Sequence, residues 1–255
     1  MKRFGIIGDP ISHSLSPLLF RAAYGGKYPY ELIEGSDFTL SWERFISDYD
    51  GINVTAPFKG LAAGKADILS DAVRRSGAAN LIVKTPEGIF AENSDYLGVM
   101  MTLHRHGISA GKALVIGVGG AGRAAALAAL DSGCRVGLMN RTRERAERFA
   151  AGLPEAGFTV LDLSDMKAAV READLILYTA TFPAEGLDKL SAEDFAGKTV
   201  LEANYRSPSL SEELLSRSHA ISGREWLLNQ AIAGYRTFTG EDPDTEKMTQ
   251  TLNQI

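Results

Sequence analysis

The most informative spacing in the chain is Gly117-Val118-Gly119-Gly120-Ala121-Gly122, a GxGxxG run between the apolar stretch ALVIG and an alanine-rich segment from Arg123 to Leu130. The spacing predicts a phosphate cradle. Gly117 permits a tight turn, Gly119 lets backbone approach a pyrophosphate, and Gly122 allows a helix to pack close to a strand. The first-turn amides, at Gly120 and Ala121, then meet the phosphates with the positive end of the helix dipole behind them. These letters alone occur by accident; a strand before, a helix after and a second strand behind make a dinucleotide the expected ligand. The second strand, CRVGLMN, ends in Asn140-Arg141-Thr142, with Arg143 and Arg145 next. A site for NAD usually closes this strand with a carboxylate that accepts from the ribose 2′-hydroxyl. Here no acid stands ready to repel a 2′-phosphate, and the guanidinium of Arg141 offers a planar fork to bind one. The expected cofactor is therefore NADP, held by Gly117, Gly119, Gly120, Ala121, Gly122, Asn140, Arg141, Thr142 and Arg145. Arg143 reads as the solvated face of the next helix.

Nicotinamide chemistry needs a proton donor or acceptor beside the reacting carbon, and neither a metal nor a nucleophile. The four histidines show no metal-ligand spacing, and one cysteine without a nucleophile elbow gives no basis for a covalent hydrolase. The first hundred residues instead place polar side chains where apolar runs end. Gly8-Asp9-Pro10 leads into Ser12-His13-Ser14-Leu15-Ser16-Pro17, and Asn53-Val54-Thr55 leads to Lys59. Asn80 opens another run, and Glu92-Asn93-Ser94-Asp95 closes the last. In an open parallel sheet, ligands bind at such carboxyl ends. Taken singly, each residue has a plainer reading. Ser16 before Pro17 is a good helix N-cap, Asp95 can cap the next helix, Lys59 can be a surface lysine, and Asn80 a turn residue.

The elements that must position these groups alternate along the chain. Strand-like runs start at Phe4, Tyr30, Gly51, Asn80, Ala113, Arg135, Leu175 and Thr199. Helical patterns lie between them over Pro17–Tyr24, Leu61–Leu69, Asp95–His106, Gly120–Ser132 and Arg143–Ala151. Such alternation predicts parallel α/β sheets with helices on their faces. The strands fall into two groups, before Asn93 and after Gly111, joined by the helix that Gly107 ends. The expected fold class is α/β: an amino-terminal substrate domain over residues 1–96 and a Rossmann-type dinucleotide-binding domain over 97–225, with a cleft between them. The last segment, from Trp226, reads as one or two helices expected to return to the first domain.

Composition is consistent with that picture. The chain has 255 residues, 45% of them hydrophobic and 23% charged, enough to bury roughly 70–75% of its unfolded surface without disulfide or metal. A net charge of −5 argues against a nucleic-acid partner. The lone Cys134 fits a reducing compartment and reads as a small buried filler. No stretch approaches eighteen apolar residues, and the amino-terminal run is too short for a signal peptide, so the expectation is a cytoplasmic protein with no membrane partner.

The blocks GDPISHSLSP, GINVTAPFK, GAAN, ENSDYLG, GVGGAG and NRT, in this order from Gly8 to Thr142, resemble the shikimate dehydrogenase family. Gly223–Gln230 is similar to that family's tail motif. The resemblance implies reversible NADPH-dependent reduction of 3-dehydroshikimate to shikimate, in aromatic amino-acid biosynthesis. It implies Lys59 and Asp95 as the catalytic pair, and Ser14, Ser16, Thr55, Asn80 and Gln230 as substrate ligands, with Tyr205 helping. Departures lie mostly in the second half: Thr179-Ala180-Thr181 replaces an Asn-Ala-Thr-Ser pattern, Glu202 stands for an aspartate, and Trp226 for a smaller residue. Ser94 and Leu81 each replace a usual threonine. Alternatives are a quinate/shikimate dehydrogenase or related polyol-acid enzyme, a regulatory NADP-binding protein without catalysis, and a glycine-loop domain for another adenine ligand. Monomer and homodimer both remain open.

Overall fold

The computed structural model describes residues 1–181 and 183–254, in two compact units: Met1–Gly98 with the segment from Leu228 onward, and Val99–Leu227. In the first unit the chain runs β1 (Phe4–Gly8), α1 (Ser16–Tyr24), β2 (Tyr30–Glu34), α2 (Phe38–Asp48), β3 (Gly51–Val54) and α3 (Lys59–Ala63). It continues through β4 (Ile68–Leu69), α4 (Asp71–Ser76), β5 (Leu81–Thr85), β6 (Gly88–Glu92) and the start of α5 (Ser94–Arg105). In the second unit follow β7 (Gly111–Ile116), α6 (Gly120–Asp131), β8 (Cys134–Met139), α7 (Arg143–Ala151), β9 (Thr159–Val160) and α8 (Met166–Glu172). Then come β10 (Leu175–Tyr178), β11 (Thr199–Glu202), α9 (Glu212–Leu215), β12 (His219–Ile221), α10 (Gly223–Thr239) and α11 (Thr245–Asn253). From Leu228 the chain is back in the first unit.

The first sheet has the order β2-β1-β3-β5-β6-β4. One of its faces is covered by α2, whose Phe38, Trp42 and Phe45 recur at helical spacing and pack with Ile7, Ile52, Val54 and Ile82. Asp37 starts that helix by accepting from the Thr39 and Leu40 N–H groups. An aromatic cluster joins the amino-terminal strand to the late helices: Phe4 stacks on Phe238 at 5.1 Å, and Phe20 meets Tyr235 edge-on at 4.8 Å. The Asp244 N–H donates to the Ala23 carbonyl. The last two helices are thus packed into this unit by rings and backbone alike.

The second sheet is parallel throughout and ordered β9-β8-β7-β10-β11-β12, the 3-2-1-4-5-6 order of a doubly wound dinucleotide fold. Its central strands β7 and β10 are buried almost end to end, which is why they read as unbroken apolar runs. Ala124, Ala125, Ala126, Ala128 and Ala129 of α6 are all buried, small enough to let that helix lie close to the sheet.

Four expectations need correction. The first sheet is mixed, not parallel: β5 runs antiparallel to β3, and the tight turn Thr85-Pro86-Glu87-Gly88, with Gly88 at φ 136°, folds β6 back antiparallel to β5. The stretch Leu61–Leu69 is not one helix; the turn ends at Gly64 and Ile68–Leu69 forms β4, paired with β6. Strand β5 begins at Leu81, one residue after Asn80. Nor does either expected cap hold. The Asn93 side chain accepts from the Tyr96 N–H at the start of α5, and at α1 the Ser14 hydroxyl accepts from the Ser16 N–H.

Candidate active site and nucleotide pocket

Register explains how distant blocks of sequence meet in the first unit. Ile7 of β1 lies beside Val54 of β3, Asn53 beside Leu81, and Leu81 beside Glu92. Because β5 is reversed, its beginning lies at the same sheet edge as the ends of β1, β3 and β6. Gly8, Thr55, Asn80 and Asn93 therefore share one edge. At Gly8 a Cβ would come within 2.4 Å of the Thr55 methyl and 2.5 Å of Ile11, so only glycine lets these loops close.

At this edge Lys59, the first residue of α3, points its Nζ at Asp95 Oδ2, 2.5 Å away. The side chains are 17% and 8% exposed, so the pair is largely withdrawn from water. Asp95 is held in the first turn of α5, and the Lys59 carbonyl accepts from the Ala79 N–H, which ties α3 to the start of β5. The surface-lysine reading of Lys59 is thereby excluded.

A chain of buried and part-buried hydrogen bonds supports the edge. Tyr30 Oη donates to Asn53 Oδ1 at 2.7 Å, Asn53 Nδ2 donates to the Asn80 carbonyl, and Asn80 Oδ1 accepts from both the N–H and hydroxyl of Ser94. Asn80 thus has its side-chain oxygen engaged and offers its Nδ2. Burial pushes the Tyr30 phenol well above its ordinary value, so it serves here as a neutral donor. Half-buried Ser14 stands on the loop after β1, which Glu34 holds by accepting from the Ile11 N–H at 2.8 Å, and half-buried Ser16 opens α1. Tyr235 Oη donates to the Ser16 carbonyl. On α10, Gln230 lies against Gly98, where a Cβ would meet the Gln230 Cβ at 2.7 Å. Its Oε1 is buried without a hydrogen-bond partner.

The second unit holds a cavity of about 600 Å³ at the carboxyl ends of β7, β8 and β10. Gly117, Gly119, Asn140, Arg141, Thr142 and Arg145 line it, with Thr179–Thr181 and Glu185 also on the wall. Gly120, Ala121 and Gly122 form the first turn of α6. At Gly122 a Cβ would fall 1.8 Å from the Gly117 carbonyl oxygen, so the loop closes only around glycine. Arg143 is engaged elsewhere, with Glu147 at 2.7 Å and Asp162 at 2.5 Å, in keeping with its expected surface role. Asn140 is turned inward: its Oδ1 accepts from the Val118 N–H and its Nδ2 donates to the Thr142 carbonyl. These residues suit a phosphorylated dinucleotide: a glycine turn without side chains in the way, and two exposed arginines on the wall.

Tyr205 does not line this cavity. It stands on the turn after β11, which Glu202 anchors by accepting from the Ser209 and Leu210 N–H groups. Burial raises the Glu202 carboxyl, and those two bonds offset part of the effect. Sequence reasoning missed Glu34, Tyr30, Tyr235 and Thr179. Only Thr179 carried a signal, as a hydroxyl at the end of a buried strand beside the glycine loop's own strand. Among the described residues, no group of His, Cys, Asp and Glu could hold a metal, and no helix is long and apolar enough to cross a membrane.

Comparison with known proteins agrees with this geometry. Residues 6–82 match the family model described as the shikimate dehydrogenase substrate binding domain, and residues 101–196 that of shikimate / quinate 5-dehydrogenase. A shikimate dehydrogenase (NADP(+)) of Acidiphilium cryptum is 34% identical over 253 residues, covering 94% of this chain and 91% of its own. One from Haloarcula marismortui is 31% identical, covering 100% and 99%. The Mycobacterium tuberculosis shikimate dehydrogenase structure has a TM-score of 0.85 at 32% identity, covering 100% of this chain and 99% of its own. The Thermus thermophilus shikimate 5-dehydrogenase, solved with NADP(H) and shikimate, has 0.86 at 28% identity with the same coverage. With relatives above 30% identity aligned along nearly its whole length, and with the glycine turn and the Lys59–Asp95 contact formed from the same blocks, the chain belongs to the shikimate dehydrogenase family.

Proposed function

We propose that this protein catalyses the reversible, NADPH-dependent reduction of 3-dehydroshikimate to shikimate, with Lys59 and Asp95 as the proton-transfer pair. The observation that carries the reading is the withdrawn Lys59–Asp95 contact at a sheet edge rich in short polar donors. NADPH, when bound, supplies the hydride. In the reducing direction Lys59 Nζ gives a proton to the carbonyl oxygen that becomes the new hydroxyl. Asp95 orients the ammonium and balances its charge; general acid help of this kind is worth about a hundred- to ten-thousand-fold. Ser14, Ser16, Thr55, the Asn80 Nδ2 and Gln230 bind the carboxylate and ring hydroxyls, and the unpartnered Gln230 Oε1 is an acceptor such a hydroxyl satisfies. Tyr205 contributes from the turn after β11.

On the nucleotide side Arg141, Thr142 and Arg145 receive the 2′-phosphate, and Gly117 through Gly122 the pyrophosphate. Asn140 acts in this reading through the loop it holds. A cytoplasmic location and a monomeric or homodimeric state accompany this assignment. The test is NADPH formation from shikimate and NADP, with quinate and NAD as paired controls. Shikimate with NADP should be turned over fastest. Faster turnover of quinate would reassign the substrate, and no shikimate-dependent reduction of NADP would overturn the reading.

A further inference from the structure

The glycine loop is held by a side chain to which no function has been given. Thr179 follows the last residue of β10, and its Oγ1 donates to the Gly117 carbonyl at 2.6 Å. The Ile116 carbonyl, 3.3 Å from the same hydroxyl, already accepts from the Thr179 and Ala180 N–H groups, so the hydroxyl proton goes to Gly117. On the far side of the same peptide bond the Val118 N–H donates to Asn140 Oδ1 at 2.8 Å. One peptide plane, Gly117–Val118, is thus gripped at its oxygen from β10 and at its hydrogen from the end of β8.

The grip is tight. Gly117 has φ 100°, and a Cβ there would lie 2.7 Å from the Ala180 nitrogen; the Gly117 oxygen is in turn wedged against Gly122. Strands β7 and β10 are the neighbours at which the strand order reverses, the place where doubly wound sheets bind ligands. Thr179 lines the same cavity as Gly117 and Gly119.

We propose that Thr179 is a positioning residue for the nucleotide: with Asn140 it fixes the Gly117–Val118 peptide so that the amides from Gly119 onward are presented to a phosphate already oriented. This rests on the NADP reading above. Preorganisation of this kind acts on binding more than on chemistry.

The test compares Thr179→Val, which keeps the shape and deletes the donor, with Thr179→Ser, which keeps the donor. Affinity for NADPH is read by titration of nucleotide fluorescence. T179V should weaken binding about tenfold, equivalent to about 1.4 kcal/mol, and T179S should restore it to within about twofold. KM for shikimate and kcat at saturating NADP should change less than about threefold in either variant. Amide exchange is read on the protein without ligand: the Val118 N–H should exchange faster in T179V, with the β7 amides unchanged. Equal affinity of T179V and wild type, equal defects in T179V and T179S, or unchanged Val118 exchange would each overturn the proposal. If the wild-type protein binds no NADPH, the cofactor reading fails, and the exchange comparison still decides whether Thr179 sets the loop.

Discussion

Replacing Lys59 with methionine keeps the apolar stem and removes the charge, leaving the Asp95 carboxylate without its cation in a site where it is 8% exposed. At 2.5 Å and an effective dielectric near 20, the attraction between the two groups is about 7 kcal/mol before desolvation is counted. Desolvating both ions cancels most of that, so the pair contributes little net stability, yet removing one partner alone costs about 3–5 kcal/mol. Lys59→Met is therefore expected to lower unfolding free energy by about 3 kcal/mol, reduced somewhat by the residual solvent access of the site. Asp95→Asn should cost a similar amount, and the double variant should recover most of both losses. Turnover of shikimate should fall about a hundredfold or more in K59M, with NADPH affinity unchanged, because the nucleotide residues belong to the other unit. Urea unfolding of the four proteins gives the coupling energy, and NADPH absorbance gives the rates. Near wild-type turnover in K59M would refute the proton-transfer role. A double variant as unstable as the summed single losses would refute the electrostatic argument.

Arg141→Ala should raise KM for NADP about tenfold or more while leaving that for NAD nearly unchanged, since a charge-assisted bond to phosphate is worth about 1.5–3 kcal/mol; steady-state kinetics with both nucleotides checks it. Asp194 is fully covered, and burial opposes its charge, but the Ser191 N–H and hydroxyl and the Arg171 guanidinium outweigh that and hold its carboxyl at about 2. Because this value lies below the ordinary 3.8, its contribution is complete above that pH and is lost as pH falls toward 2. Asp194→Asn should thus cost up to about 2 kcal/mol near neutrality, and the gap to wild type should narrow as unfolding is measured at progressively lower pH. Glu202→Gln removes one of two acceptors for the Ser209 and Leu210 N–H groups and should cost about 1–3 kcal/mol in thermal or urea unfolding.

What the sequence made legible was local. Phe4–Gly8 and Arg143–Ala151 fall where hydrophobic period and turn residues place them, and the glycine run announces its own strand and helix. The antiparallel return of β6 along β5 depends on Thr85-Pro86-Glu87-Gly88, a turn signal present in the letters but overshadowed by the alternation around it. Ser16 and Asp95 each satisfied a capping rule by position, yet α1 begins after Leu15 without a side-chain cap and Asn93 supplies the oxygen at α5, because cap choice depends on which side chain faces the free amides. Glu34, Tyr30 and Tyr235 were not readable at all, and Thr179 only as a hydroxyl at a strand end. Each acts on a segment brought near only by strand register or by a returning helix, and nothing in its immediate neighbours encodes that partner.

The first unit is assembled from two separate stretches of chain, with the whole of Val99–Leu227 between them. On a ribosome this inverts the usual order. The nucleotide unit is continuous and can finish folding as soon as it emerges, whereas the first unit waits for α10 and α11 to supply Phe238 against Phe4, Tyr235 against Phe20 and Ser16, and the Asp244 amide for Ala23. Until then Phe4 and Phe20, buried to within 1% in the finished protein, lack their covering rings and are open to wrong partners. Premature termination after Leu227 should therefore leave an ordered second unit carrying an incompletely packed first one.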